Sequence, residues 1–280
     1  MRRSNNGAAL VVTVWLIALA TILALNFSYA SRSDTITTTA SLAGHQSRAA
    51  AEAGIWRAVY EIEVPLPEEP WPTDGRVSEF KFGSAEVSVI AQDLIGLADL
   101  NWASSETLKT IISHALGQPQ RAEQIVARIL DWRDRDQTEL AFGAEDADYR
   151  AAGINYEAKD GPFNSREELQ LVLGVTFDEY NAIAPFITVH SQKTSINLGV
   201  APDYMVQAMS EFESPDSPTA DNELSRRIKQ TTTGRKPTRS RSTRFEIFSQ
   251  ATVRGVISRL AASVEINRRR RGGPKVAILA

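Results

Sequence analysis

Cysteine is absent from this chain of 280 residues, and histidine occurs only three times. Without cysteine, neither a disulfide framework nor a thiolate metal site can form. The sequence also lacks a Gly-x-Ser-x-Gly elbow, a His-Glu-x-x-His pair and a phosphate-binding loop, and its histidines, His45, His114 and His190, are scattered. These absences argue against an enzyme. The hydrophobic fraction of 42% is ordinary for a globular chain, and the length is sufficient for a substantial core.

Charge is missing from one long segment near the N-terminus. No charged side chain occurs from Ala8 to Ala30, roughly 23 residues, and about 20 are enough to span hydrocarbon as a helix. Arg2 and Arg3 precede this segment, which by the positive-inside rule keeps the first residues in the cytoplasm. A secretory signal cleaved after Ala30 is the alternative, but its apolar region would usually be only about 7–15 residues long. The sequence therefore predicts a retained membrane anchor over residues 8–30.

The residues after the anchor continue a helical pattern. Proline does not occur before Pro65, and the region from Ser47 to Ile62 is rich in alanine. The apolar residues Ala51, Ile55, Val59 and Ile62 recur at three- and four-residue spacings, which places them on one face of a helix. We therefore expect one long helix over residues 8–63, with one half in lipid and an amphipathic half beyond it.

The rest of the chain divides by composition into a strand-rich core and a helical insertion. We expect residues 64–95 to form the first part of the core, 96–212 an insertion, 213–243 a flexible linker and 244–280 the last strands. Residues 96–212 contain about 18 acidic and about 9 basic residues, so the insertion is acidic. The fold class is therefore α+β.

Alternation and capping signals predict the individual elements. Val87, Val89 and Ala91 share one face of a strand, and residues 244–280 form three antiparallel strands with an arginine-rich turn at Arg268–Arg271. These strands should pack on the amphipathic half of the first helix. In the insertion, helices are expected to start near Ser104 or Ser105, over 121–136, near Asn164 or Ser165 and near Thr176. Three tryptophans at apolar helical positions are expected in the core: Trp56, Trp102 and Trp132.

A weak internal repeat suggests a second possible function. LNWASSETL (residues 100–108) and LGVAPDYMV (198–206) each contain a short turn, an alanine and a capping pair before a helix. Helical hairpins of this kind occur in DNA-binding helix-hairpin-helix proteins, but phosphate binding requires lysine and arginine at the hairpin. Because the insertion is acidic, we expect no nucleic-acid partner, and a membrane-anchored nucleic-acid-binding module is the alternative function.

An acidic stretch in the insertion is a candidate calcium site. DWRDRDQTELAFGAEDADY places many carboxylates at a helix end and in the following loop. Ca²⁺ takes six to eight oxygen ligands from such flexible loops. The candidate ligands are Asp134, Asp136, Glu145, Asp146 and Asp148. The pattern is not an EF-hand, and a solvated acidic loop is the alternative.

Several motifs, taken in order, resemble a known family. A short leader ending in glycine, a spanning helix and a globular domain beyond it resemble type IV pilins and secretion pseudopilins. ADLNWAS, ILDWRDRDQTE, GAEDADYR, KDGPFNSREELQLVLGVTFDEYNAIAPFITVH and SINLGVAP together resemble type II secretion system protein K. The chain departs from that family at LNWASS, where Asn-Thr-Ala-Pro is usual, and at Gly199 and Val200, where Asn-Thr is usual.

The resemblance implies a pilin-like fold, a processing site and partners. Gly7 would be the position after which a prepilin peptidase cleaves, and Ala8 would be the methylated N-terminus. Val12, the fifth mature residue, would stand where most members of the class have glutamate, which favours a place at the tip of a filament. The implied partners are other minor pseudopilins, the major pseudopilin and the inner membrane, with the folded part in the periplasm. The family also binds calcium in its helical domain.

Overall fold

The computed structural model describes residues 6–63, 71–212, 242–266 and 275–279. Within these ranges the strands are β1 (Asp74–Phe82), β2 (Ala85–Asp93), β3 (Ala98–Asp99), β4 (Ile187–Thr188), β5 (Arg244–Val253), β6 (Val256–Glu265) and β7 (Lys275–Leu279). The α-helices are α1 (Asn6–Glu63), α2 (Ser105–Leu116), α3 (Pro119–Arg133), α4 (Asp146–Ala151), α5 (Phe177–Ile183) and α6 (Asp203–Phe212). Short 3-10 helices cover Leu94–Gly96, Arg166–Leu171 and Ala184–Phe186.

The predicted single long helix is confirmed, because α1 runs for 58 residues without a break. Its segment Leu10–Tyr29 has a mean hydropathy of 2.4, is long enough to cross a membrane and is exposed throughout. In the second half, the predicted apolar face of Ala51, Ile55, Val59 and Ile62 is buried. One half of α1 therefore packs on the folded domain, and the apolar half is left outside that domain.

The face of α1 is covered by a five-stranded antiparallel sheet with the strand order β1-β2-β5-β6-β7. The expected strand around Val87 is present, but the alternating run that contains it forms two strands, β1 and β2, joined at Gly83 with a φ of 59°. The inward-facing positions change from even numbers in β1 to odd numbers in β2, as they do when a turn separates two strands. Phe80 packs toward the helix from an even position, whereas Val87 and Val89 do so from odd positions.

The predicted C-terminal meander is confirmed by β5, β6 and β7, which pair in sequence order. Phe245, Ile247 and Ser249 of β5 are buried on one face, as the alternation predicts, while Phe248 is exposed on the other. The arginine-rich turn at Arg268–Arg271 lies outside the described residues, and so does residue range 213–241 of the expected linker.

The insertion has a hydrophobic core of its own, separate from the core between α1 and the sheet. Two of its helices, α2 and α5, begin at residues whose side chains cap the helix. Ser104 accepts the backbone N–H of Thr107 at 3.2 Å to start α2, and Thr176 forms a capping box with Glu179 to start α5. Gly117 ends α2 in the left-handed region with a φ of 65°, as expected for a helix C-cap.

One predicted α-helix of the insertion is wrong. Residues 166–171 form a 3-10 helix, and Ser165, one of the two expected caps with Asn164, makes no side-chain capping bond. The backbone groups just after this segment bind tertiary partners instead of the preceding turn. The N–H of Leu173 donates to Tyr149 at 2.9 Å, and its carbonyl accepts Arg128 at 2.7 Å.

The prediction that three tryptophans lie in the core is right for one of them. Trp132 is 3% exposed and contacts the rings of Tyr149 and Phe163. Trp56 and Trp102 are 47% and 54% exposed. Trp56 lies on the side of α1 that faces away from the sheet, and Trp102 lies in a turn before α2, so neither is on a buried helical face.

The insertion is docked onto one end of the sheet. It leaves the sheet after β2, where Asp93 accepts the N–H of Ile95 at 3.1 Å. The N–H of Asn197 donates to the Ile95 carbonyl at 2.8 Å, which holds the end of the insertion against its start. Arg166 of the insertion also forms an ion pair of 3.3 Å with Glu246 of β5. The sheet and the insertion are therefore joined by an ion pair as well as by the chain segments that connect them.

Candidate metal centre

The acidic stretch of the insertion folds around Asp131, near the C-terminal end of α3. Asp131 is fully buried, and its Oδ2 atom accepts the N–H of Leu140 at 3.2 Å and of Ala144 at 2.9 Å. Gly143 leaves the room for this contact, because a Cβ atom there would overlap the Asp131 carboxylate. Asp131 therefore folds the acidic loop back onto its own helix.

Four carboxylates in this region have buried oxygens that accept no hydrogen bond. These oxygens are Oδ1 of Asp131, Oδ1 of Asp134, Oδ1 of Asp160 and both carboxylate oxygens of Glu145. A buried carboxylate that is neither paired nor hydrogen-bonded is costly, so native proteins usually supply a donor, a proton or a cation. The cluster therefore has the chemistry of a cation site.

The carboxylates of the cluster also raise one another's pKa values. Burial raises the pKa of Glu145 to about 7, and the charges of Asp131, Asp134, Asp160 and Asp146 add to the effect. Burial raises the pKa of Asp131, partly offset by its two backbone hydrogen bonds. Burial likewise raises the pKa of Asp134, and Asp136 and Asp160 raise it further. A bound cation would stabilise all of these groups in the charged form.

The structure brings only part of the predicted ligand set into the cluster. Asp134 and Glu145 belong to it. Asp136 is exposed and accepts the N–H of Thr138 at 2.8 Å. Asp146 accepts the N–H of Ala158 at 3.2 Å, and Asp148 accepts the N–H of Glu145 at 2.9 Å. These three carboxylates hold the loop and the start of α4, and they position Glu145.

Asp131 and Asp160 belong to the cluster although they were not among the candidate ligands. Asp131 is the first residue of the acidic stretch and lies within α3, so its position in the sequence only weakly indicated a ligand. Asp160 follows much later in the chain, and no local pattern connects it to the others. Its φ of 51° and a hydrogen bond of 2.9 Å from Gln137 hold it in place.

Among the residues that the structure describes, no three acidic or histidine side chains already stand together at metal-binding distances. Binding would require these side chains to rotate toward a common point. Ca²⁺ tolerates irregular sets of carboxylate and carbonyl oxygens, so the donor set of this cluster suits it better than Mg²⁺ or Zn²⁺.

The long helix, the antiparallel sheet on its second half and the helical insertion together define a pilin-like α+β fold. A chain in the crystal structure of the GspK–GspI–GspJ complex from enterotoxigenic Escherichia coli has the same fold. The TM-score is 0.52 at 18% identity, covering 89% of this chain and 97% of that one.

Sequence comparisons identify the family that this chain resembles. Residues 98–192 match the family model described as type II secretion system protein K. A protein of that name from Pectobacterium carotovorum subsp. carotovorum is 27% identical over 112 residues, 40% of this chain and 32% of the relative. Another from Klebsiella pneumoniae is 23% identical over 215 residues, 69% of this chain and 65% of the relative. The matches thus span about a third and slightly under two thirds of these relatives. The likeness to type II secretion system protein K predicted from the sequence motifs is confirmed.

Proposed function

We propose that this protein is a minor pseudopilin of a type II secretion system that caps the tip of the periplasmic pseudopilus and helps to initiate its assembly. The architecture of α1 carries the proposal. An exposed apolar segment of 20 residues continues directly into a half that is packed on a sheet. Such a helix can be held in the membrane or in a filament by one half while the other half carries a folded domain. The likeness to type II secretion system protein K supports this reading.

The tip position rests on Val12. In the filaments of this class, a glutamate at the fifth mature position pairs with the N-terminal amine of the next subunit toward the tip. A subunit with valine there has no carboxylate to offer a neighbour above it, so it is tolerated where no neighbour follows. Filament contacts run head to tail and would otherwise continue indefinitely, so a subunit that accepts neighbours on one side only defines an end.

The proposal includes the processing of the chain and its location in the cell. A prepilin peptidase cleaves after Gly7, Ala8 becomes the methylated N-terminus, and the anchor holds the protein in the inner membrane with its folded part in the periplasm. N-terminal sequencing of protein extracted from membranes should give Ala8 as the first residue. A mature chain that begins at Ser31 and is free of membrane would contradict the proposal.

The proposed partners are other minor pseudopilins and the major pseudopilin. The structural neighbour comes from a complex of three components, GspK, GspI and GspJ. The side of α1 that faces away from the sheet exposes Leu42, Trp56 and Tyr60. Large aromatic side chains of this kind are enriched where proteins bind one another.

Co-expression tests the function directly. The full chain should co-purify from detergent extracts with the two smaller minor pseudopilins encoded for the same secretion system, and deletion of its gene should abolish export. Salt-dependent binding of DNA by the purified protein, without such partners, would favour the helix-hairpin-helix alternative.

We also propose that the carboxylate cluster binds calcium, with Asp131, Asp134, Glu145 and Asp160 as protein ligands. Bound Ca²⁺ would supply the positive charge that the buried oxygens lack and would tie the acidic loop to α3. The proposed role is structural, because a loop that carries several unpaired carboxylates repels itself when no cation is present.

Removal of calcium tests this site. A chelator should lower the thermal midpoint of the full chain by several degrees, and added Ca²⁺ should restore it. The variants Asp131→Asn and Glu145→Gln should lose most of this calcium response, because each removes a charged ligand. Asp136→Asn is the matched control and should keep the response. Equal melting curves with chelator and with calcium for the wild type would contradict the proposal.

A further inference from the structure

The outer face of the sheet, opposite α1, carries a row of apolar residues that runs across four neighbouring strands. Val77 of β1 pairs in register with Ile90 of β2, Ile90 with Phe248 of β5, and Phe248 with Ala261 of β6. Residues opposite one another in adjacent strands are in side-chain contact on one face. The row is therefore a continuous apolar stripe and not a set of separate surface residues.

This stripe forms the floor of a groove of about 660 Å³, lined by all four of its residues. Val77 is 54% exposed and Phe248 is 41% exposed. The inner face of the same sheet is covered by α1, whereas these side chains on the outer face remain accessible. A sheet with apolar residues on both faces usually has a layer on each side.

Polar residues border the groove on both sides. On one side, the next row of the sheet runs Glu79, Ser88, Gln250 and Arg259, in register across the same strands. Arg259 donates to Gln250 at 2.7 Å, so it is held along the border. On the other side, the ion pair between Arg166 and Glu246 marks the edge of the insertion. The opposite charges of Glu79 and Arg259 thus lie near opposite ends of the groove.

We infer that this groove binds an amphipathic helix of a partner minor pseudopilin, an inference that rests on the proposed function. Three inter-strand spacings of about 4.8 Å give the stripe a length of about 14 Å, which matches roughly three turns of α-helix. A helix satisfies its own backbone hydrogen bonds, whereas an extended segment on an apolar floor would leave its N–H and C=O groups unpaired. The occupant is therefore a helix with apolar residues at three- and four-residue spacing.

The charges at the ends of the groove set the direction of that helix. The N-terminus of a helix carries a partial positive charge and its C-terminus a partial negative charge. The bound helix therefore has its N-terminus over Glu79 and its C-terminus over Arg259. Both end charges are exposed, so they contribute more to orientation than to affinity.

Binding to co-expressed minor pseudopilins of the same secretion system tests the inference. The full-length variant Phe248→Asp should weaken the complex by about tenfold or more, as expected for a central aromatic residue of an interface. Ile257→Asp is the matched control, since Ile257 is 50% exposed on the same face of the sheet but lies two rows from the stripe. It should bind as the wild type does. The paired exchange Glu79→Lys with Arg259→Glu should also weaken binding, and it leaves the apolar floor intact.

A photo-cross-linking amino acid at position 248 identifies the occupant. An adduct to a helical segment of a co-expressed minor pseudopilin supports the inference. An adduct within the same chain, an adduct to a second copy, or no adduct in an intact complex overturns it. Unchanged binding of Phe248→Asp also overturns it and leaves the proposed function standing. Failure of the wild type to form any complex would overturn the proposed function and this inference together.

Discussion

At the scale of single residues, the contact between α1 and the sheet depends on Gly54. A Cβ atom at this position would overlap the hydroxyl of Ser249 and would lie 2.9 Å from Val87 and 3.0 Å from Val89. Two neighbouring strands of the sheet, β2 and β5, therefore reach the helix backbone at one point. Glycine in mid-helix usually costs stability, so its presence here reflects close packing.

We expect Gly54→Ala to destabilise the full chain by about 1–3 kcal/mol, because the added methyl group pushes α1 away from the sheet. Gly44→Ala, on the same helix with no atom within 4 Å of the added group, is the matched control. It should be neutral or stabilising, since alanine favours helix more than glycine does. Urea unfolding in detergent measures both. Equal midpoints for the two variants would show that the helix has room to adjust.

A second residue-scale prediction concerns Glu179. Arg121 donates to its Oε1 atom at 2.6 Å and to its Oε2 atom at 3.1 Å, and the N–H of Thr176 donates to Oε2 at 2.8 Å. Chiefly through Arg121, these contacts lower the pKa of Glu179 from 4.5 to about 2. A lowered pKa of an acid in the folded state stabilises the protein above the unfolded value, and this stabilisation is lost as pH falls from 4.5 toward 2.

Glu179→Gln should therefore lower stability by on the order of 2 kcal/mol at pH 7, and the difference from the wild type should shrink between pH 4.5 and pH 2. Unfolding midpoints at several pH values measure this. Glu123→Gln is the control. It removes an ion pair with Lys109 that is more exposed than the pair of Glu179 with Arg121, so it should change stability little. A Glu179→Gln difference that is constant with pH would refute the linkage.

At the scale of elements, the insertion closes next to the sheet, where its first 3-10 helix meets the loop before α6. A Cβ atom on Gly96 would lie 2.6 Å from the Val200 carbonyl oxygen and 2.8 Å from the Cα atom of Ala201. Both are backbone atoms, which cannot rotate away as a side chain can. The segment around Gly199 and Val200, where the chain departs from the family pattern, thus lies at this junction.

Gly96→Ala should loosen the junction and lower the unfolding free energy by about 1–3 kcal/mol. Gly161→Ala is the control, because the nearest atom to its added group is the Lys159 carbonyl oxygen at 3.7 Å. Chemical unfolding of both variants, together with limited proteolysis of the native state, measures the effect. If Gly96→Ala unfolds at the same denaturant concentration as the wild type, the two backbones are not held in fixed contact.

At the scale of the whole molecule, the proposed function concerns where the subunit stands in a filament. Val12→Glu should supply the missing carboxylate and allow incorporation into the shaft. Val14→Glu is the control, since it places a similar charge in the same exposed apolar segment but not at the fifth mature position. Immunogold labelling of assembled pseudopili measures the location. If the label of the Val12→Glu variant stays at the tip, Val12 does not restrict the subunit to that position.

The sequence predicted the parts of the fold that depend on local order. The periodicity of Ala51, Ile55 and Val59 predicted the buried face of α1, and the alternation at Phe245 and Ile247 predicted β5. Short patterns also predicted the cap near Ser104 and the start of a helix near Thr176. These features follow from neighbours within a few residues, and the same neighbours occur in any fold that the chain adopts.

The tertiary structure alone decided which distant groups meet. Asp160 joins Asp131, Asp134 and Glu145 only because the insertion folds back on α3, and no spacing in the sequence records that approach. The 3-10 helix at residues 166–171 is flanked by tertiary hydrogen bonds, and Trp56 is exposed because it lies on the side of α1 away from the sheet. Local free energies select helices and strands, whereas burial and charge pairing depend on contacts between residues far apart in the chain.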